Sequence, residues 1–333
     1  MPYNFNSGYG QALVNAVHSA VPTFGRIFVV LDPDDYDEEN YQRMEEVFKT
    51  DTAGQVRFFT SLATAYDATE SNNNDVIVLD GNSTHALTSM LTVANNRVHF
   101  VGIDWLLGEK RRYGQATKIE LGVTTVATDL ATIKVTGVRC SFRGIKFMNS
   151  NTVDEGLYCF LDAGEYTYVE DCEIYKETDL DEAGAAELVA NGDSSHYKNC
   201  WIGSTANIVS ANGARPCVLV TGGIVAGAKA RDVTFESCVL ARKCGDTDNR
   251  MVYGANATDV ERLMWFKDCL FYNNLLAAQD PTQAVAFAAS QTEGSVILQG
   301  CATVSCTKPS TTTGVFVADA ASNSAGGLVT QAA

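Results

Sequence analysis

Phe235-Glu236-Ser237-Cys238-Val239-Leu240 decides how this chain folds, because the same phrase keeps returning. Earlier copies are Phe100-Val101-Gly102-Ile103-Asp104-Trp105, Phe142-Arg143-Gly144-Ile145-Lys146-Phe147, Val169-Glu170-Asp171-Cys172-Glu173-Ile174 and Tyr197-Lys198-Asn199-Cys200-Trp201-Ile202. Later copies are Phe266-Lys267-Asp268-Cys269-Leu270-Phe271 and a degraded Leu298-Gln299-Gly300-Cys301-Ala302-Thr303. Their first residues are separated by 42, 27, 28, 38, 31 and 32 positions. Repeats at this interval indicate stacked units, none of which buries its apolar face alone.

Position one is bulky and apolar, position four is Ile or Cys, and position six is apolar until the last copy. Positions four and six alternate as a strand requires, but one and four fall on opposite parity. A bend at position three restores agreement. Six of its seven occupants are Gly, Asn or Asp, which tolerate a left-handed backbone; Ser237 is the exception. Position two points outward and reads Val101, Arg143, Glu170, Lys198, Glu236, Lys267, Gln299, alternating in sign from 143 to 267. In a parallel stack with neighbours about 4.8 Å apart, each charge lies between two of opposite sign.

These columns predict an all-β fold, a single-stranded right-handed parallel β-helix. Cys172, Cys200, Cys238, Cys269 and Cys301 form an interior ladder that continues the slots of Ile103 and Ile145. A helical solenoid is excluded by the β-branched and aromatic phrases, their turn residues and the absence of a 3.6 period. Residues 1–57 are expected to form a small α/β N-terminal cap, 58–307 the β-helix, and 308–333 a small-residue tail. Strands are expected at Gly25–Leu31, Val56–Phe59, Asp75–Leu79, Leu87–Thr92, Lys118–Leu121 and Ala131–Val135. A helix over Ser61–Thr69 covers the open end of the stack. The segments Asp179–Glu187, Asn207–Val225 and Arg242–Glu261 read as inserted loops. The acidic run Asp32–Glu39 reads as the N-terminus of a helix more readily than as a calcium site.

Hydrophobic residues at 46% against 19% charged describe a core-forming chain. There is no apolar run long enough for a membrane span and no basic-then-apolar leader, so synthesis in the cytosol is expected. The ten cysteines are expected to be reduced, as small buried hydrophobes. Cys301 and Cys306 are a lone close pair without histidine nearby, which argues against zinc. No cofactor motif is present. The four histidines lack metal-site spacing, and no phosphate loop occurs. A net charge of −16 disfavours nucleic acid as a partner. Lys110-Arg111-Arg112 reads as a solvated loop.

An enzymatic β-helix needs a cluster of carboxylates or basic groups on one outer face. The candidates are Glu170, Asp171 and Glu173 with Arg143 and Lys198, but the charge ladder and the bend already account for most of them. Position five runs Asp104, Lys146, Glu173, then Trp201, Val239, Leu270, Ala302. This outer face turns from charged to apolar halfway along. Consecutive outward Trp201, Val239 and Leu270 require covering, either by inserted loops or by another subunit; a homotrimer is expected.

The order GRIFVVL (Gly25–Leu31), a helix around Tyr41, VRFFTSLATAYDAT (Val56–Thr69) and NNNDVIVLDGNSTHAL (Asn72–Leu87) leads into the coils. Together with the ending FVADAASNSAGGLVTQAA (Phe316–Ala333), it resembles β-helical virion proteins of tailed bacteriophages, of pectate-lyase-like architecture. The resemblance covers about residues 20–105 and the last twenty. It implies a capsid decoration, cement or head-fibre protein, assembled in the host cytoplasm, that acts by binding the major capsid protein or other virion proteins without catalysis. The alternative is a glycan-binding or glycan-cleaving β-helix, such as a tail spike, with a surface glycan as partner.

Overall fold

Each phrase from Phe142 onward carries the chain around one corner of a three-sided coil. In one turn, Val233–Glu236 lies in the first sheet, Val239–Arg242 in the second and Val252–Gly254 in the third. The computed structural model describes residues 15–17, 19, 25–32, 42, 45, 46, 56–318 and 328–330, apart from 82, 107, 109, 111, 123–129, 152–155, 179, 180, 183, 207, 210–212, 226 and 275–279. In these residues the sheets hold twelve, eight and seven strands, and the chain is a parallel β-helix of about seven turns. The acidic run after Asp32 and the Tyr41-centred helix lie mostly outside the described residues.

The bend is left-handed at Gly144, Asp171, Asn199, Ser237, Asp268 and Gly300, with φ between 52° and 63°. Ser237 therefore turns like its neighbours, because the stack on either side fixes its backbone. The bend is also bonded along the stack. Asn199 N–H donates to the Glu236 carbonyl at 2.8 Å, and Ser237 N–H to that of Lys267 at 2.9 Å.

Position one stacks rings inside the coil. Phe100 lies 4.8 Å from Phe142, Tyr197 4.7 Å from Phe235, and Phe235 4.6 Å from Phe266, with ring planes within 11° of parallel. Cys172, Cys200, Cys238 and Cys269 are buried and Cys301 is partly exposed; all ten thiols are free. The bend gives cysteine a reason beyond size. The Cys238 thiol lies 3.5 Å from the Glu236 carbonyl and 3.4 Å from the Tyr197 carbonyl one coil back. Cys200, Cys269 and Cys301 repeat the arrangement at 3.3–3.5 Å. A weak S–H donor thus faces carbonyl groups that Ile or Val would leave alone.

The first copy departs from the rule. After Gly102 the chain enters a short helix, Ile103–Leu106, and returns to the second sheet only at Lys118–Leu121. Ile103 consequently packs in an outer apolar cluster with Val17, Val29, Val78 and Trp105 and does not join the interior ladder. Ile119 takes the position-six slot beneath Phe147. Trp105 instead caps the Gly144 bend, where a Cβ would come within 2.2 Å of the Trp105 Cβ. Its indole N–H donates to Asp171 Oδ2 at 2.6 Å.

The helix Leu62–Asp67 buries Leu62, Ala65 and Tyr66 against the end of the core. The Tyr66 hydroxyl accepts from the Ala94 and Asn95 N–H groups at 2.7 and 2.9 Å, tying the cap to the first coil. Ile27–Val30 lies between Phe58–Phe59 and Val76–Leu79 within the first sheet. Beyond residue 308, Val315–Ala318 adds a parallel strand to that sheet and Leu328–Thr330 an antiparallel one. Leu87–Thr92 is not one strand: Thr84–Leu87 and Leu91–Val93 belong to different sheets. Two of the expected loops contain strands, Val218–Val220 and Val252–Gly254. The acidic segment ends in a third, Ala186–Ala190.

Candidate functional site: the outer faces of the stack

On the second sheet, position five pairs in register as Lys118, Lys146, Glu173, Trp201, Val239, Leu270, Ala302. Lys118 takes the place that the sequence reading gives to Asp104, because Asp104 is carried off on the short helix. Two residues further along each strand a second outward column ends in Ala241, Tyr272 and Val304. The far half of this face is therefore apolar two columns wide, and Val304 is 42% exposed at its end.

A loop from the first coil lies across part of it. Arg112 donates to the Ser237 carbonyl at 3.2 Å, and Gly114 N–H to Glu173 at 3.0 Å. The Gln115 amide donates to the Asp171 carbonyl at 2.6 Å. Tyr113 packs its ring 4.8 Å from that of Trp201 and remains 58% exposed itself. Of the three outward apolar residues, Trp201 is thus partly covered from within the chain, Val239 is buried, and Leu270 lies beyond the loop and partly exposed.

On the first sheet the charge column pairs as Arg143, Glu170, Lys198, Glu236, Lys267, Gln299. Glu170 lies 3.4 Å from Arg143 and 3.3 Å from Lys198, and Glu236 lies 3.3 Å from Lys267. Glu173 is held 3.2 Å from Lys146. Asp171 accepts from Trp105 and from the Asn199 amide. Each carboxylate suspected of catalysis is thereby committed to a neighbour. Among the described residues no group of three or more His, Cys, Asp and Glu is arranged to hold a metal ion.

The sequence reading missed a second left-handed corner, three residues before each of the first five phrases. Arg97, Arg139, Tyr166, Ser194 and Asp232 hold φ between 49° and 60° there, and Asn74, one coil earlier, holds 57°. Arg and Tyr are not turn formers, so composition did not flag it. Where this corner meets the outer face of the first sheet, a cleft of about 400 Å³ opens. Arg97, Arg139, Arg143, Tyr166 and Tyr168 line it, with His99 and Ser141 at its floor. The Arg143 guanidinium lies 4.9 Å from the Tyr168 ring and that of Arg139 5.6 Å from the Tyr166 ring. Burial, aided by Arg143, pushes His99 down to about 4, so its ring is neutral near pH 7.

No protein-family model matches the chain, and no curated protein sequence matches it. Solved structures do share its shape. A pectin methylesterase from Aspergillus niger is 11% identical over 91% of each chain, with a TM-score of 0.50. The pectate lyase Pel9A is 10% identical over 83% of this chain and 62% of its own, also at 0.50. Geobacillus virus E2 ORF18 is 13% identical over 87% of this chain and 64% of its own, at 0.46. At these identities the likeness is one of fold: the chain has the parallel β-helix found in the pectin methylesterase and the pectate lyase.

Proposed function

We propose that the chain is a structural component of a tailed-phage virion, a capsid decoration or head-fibre protein that acts by oligomerising and binding. The observation that carries this reading is the two-column apolar strip at the far half of the second sheet, from Trp201 to Val304. Its exposed end is suited to packing against a further protein surface, and three β-helices side by side would cover it. The commitment of Glu170, Glu173 and Glu236 to cationic neighbours supports a binding role over hydrolysis. A hydrolase would need a carboxylate pair about 5–9.5 Å apart and facing substrate. The resemblance of residues 20–105 to β-helical phage proteins points the same way. Mass spectrometry of purified particles tests the location: hundreds of copies indicate the capsid, a handful the tail. Analytical ultracentrifugation tests the assembly, with wild type trimeric and Leu270→Asp folded but monomeric. A monomeric wild type that is absent from particles sinks the reading and moves the glycan-active alternative ahead.

A further inference from the structure

The cleft at the left-handed corner is at odds with the rest of the molecule. On a chain of net charge −16 it gathers three guanidiniums, and no Asp or Glu lines it among the described residues. Arg143 is shared with Glu170, but neither Arg97 nor Arg139 is in an ion pair among those residues. Their backbone setting sharpens the point. Adjacent coils place Asn74, Arg97, Arg139 and Tyr166 at equivalent left-handed positions, with φ of 57°, 57°, 60° and 55°. Gly, Asn or Asp would occupy that conformation at less cost. Two unpaired arginines and a tyrosine stand there nonetheless, and Tyr166 is 51% exposed. Strained positions of this kind gather where a side chain is kept for what it contacts.

The chemistry on offer is specific. Guanidiniums present forked donors that match a carboxylate, and the phenol rings beside them present flat apolar faces with a polar tip. We infer that this cleft binds an acidic saccharide, with Arg97 and Arg139 holding the carboxylate of a uronate- or sialate-type sugar and Tyr166 and Tyr168 flanking its ring. Such a site would give a particle-borne protein a hold on charged cell-surface glycan, yet it stands whether or not the chain is on a particle. Particle copy number tests the one and glycan binding the other.

The experiment is a glycan array probed with the labelled full-length protein, followed by calorimetry on the best ligand. Retention is expected on uronate- or sialate-bearing glycans and not on their neutral counterparts. Arg97→Gln and Arg139→Gln are each expected to weaken binding about tenfold or more, the scale of a lost charge-assisted contact. Tyr166→Ala, at an exposed ring, serves as a third variant should either arginine prove necessary for folding. Three results would overturn the assignment. They are an array with no acidic glycan retained, folded variants that bind like wild type, or poly-glutamate bound as tightly as the best glycan, which would mark an acidic-peptide site.

Discussion

Arg242 Nη2 donates a hydrogen bond to Glu187 Oε2 inside the β-helix, where the two side chains are 1% and 0% exposed. Arg242 ends a strand of the second sheet and Glu187 lies on a strand of the third, so the pair bridges two sides of the coil. Lys176 shares this interior, donating to the Gly156 carbonyl at 2.7 Å. Among the described residues Glu187 Oε1 and Arg242 Nε have no hydrogen-bond partner. Desolvation is thus incompletely compensated. Removing one partner strands the other charge, whereas removing both does not. Arg242→Met should therefore destabilise by about 3–5 kcal/mol. The double variant with Glu187→Met should recover most of that, as a double-mutant cycle by urea denaturation would show. A double-variant loss equal to the sum of the two single losses would mean that the pair is not coupled.

The same burial gives Glu187 a pH signature. Desolvation, opposed by Arg242, pushes its carboxyl up to about 7 from an ordinary value near 4.5. A carboxyl with a raised folded value stabilises fully below the unfolded value and loses that contribution as pH rises through the folded one. Stability should therefore fall between about pH 4.5 and pH 7, by roughly 3 kcal/mol from this group. Melting wild type and Glu187→Gln in parallel across that window isolates it, with a flatter profile expected for the variant. A profile unchanged by the substitution would place the titration elsewhere.

This pair also shows where the sequence ceased to be legible. The phrase was readable because its constraints recur. Sign alternation at position two appears in the structure as Arg143, Glu170, Lys198, Glu236 and Lys267 in register. The bend required special residues and mostly received them. Glu187 and Arg242 read as loop residues because charge ordinarily marks solvent, and nothing local reveals a partner 55 positions away. Arg97, Arg139 and Tyr166 hid their corner because stacking holds a left-handed backbone that their own preferences oppose. The first phrase misled at Ile103–Trp105 because the pattern extends into a helix before the second sheet resumes.

The cysteine column should be chemically silent in the native state. Burial raises Cys172 to about 12 and pushes Cys238 well above the ordinary thiol range, so neither supplies thiolate near neutral pH. Peptide mapping after native treatment with a thiol reagent should confine adducts to the partly exposed Cys301 and Cys306. Denaturant should open all ten sites. Rapid native labelling of Cys200 or Cys238 would contradict the register of the stack.

The charge column makes a salt-dependent prediction. Glu236 faces Lys267 at 3.3 Å and His196 at 3.2 Å, and pairs in register with Lys198. Glu236→Lys sets three lysines in succession on a partly solvated face. The expected loss is on the order of 1 kcal/mol at low salt, shrinking as the screening length contracts. A loss independent of salt would point to packing and away from the column.

His99 carries the acid limb. Its Nδ1 lies 2.8 Å from the Ser141 hydroxyl, on the outer face of the first sheet. Burial is the largest influence on it; the Arg143 guanidinium acts with burial and the Asp75 carboxylate against it, and the result is a value lowered from 6.5 to about 4. A histidine whose folded value is depressed stabilises fully above its unfolded value, and that contribution disappears as pH falls through the folded one. Below about pH 6.5 the unfolded chain takes up a proton that the native site refuses. Stability should fall from there to about pH 4, by on the order of 2–3 kcal/mol from this group. His99→Gln can still hydrogen-bond Ser141 but cannot titrate, so its acid limb should be shallower than that of wild type by this amount. Two-dimensional NMR of the imidazole should find His99 neutral at pH 5.5 in the native protein. A ring already protonated there would mean that water and counter-ions reach the floor of the cleft, and the acid-limb assignment would fail.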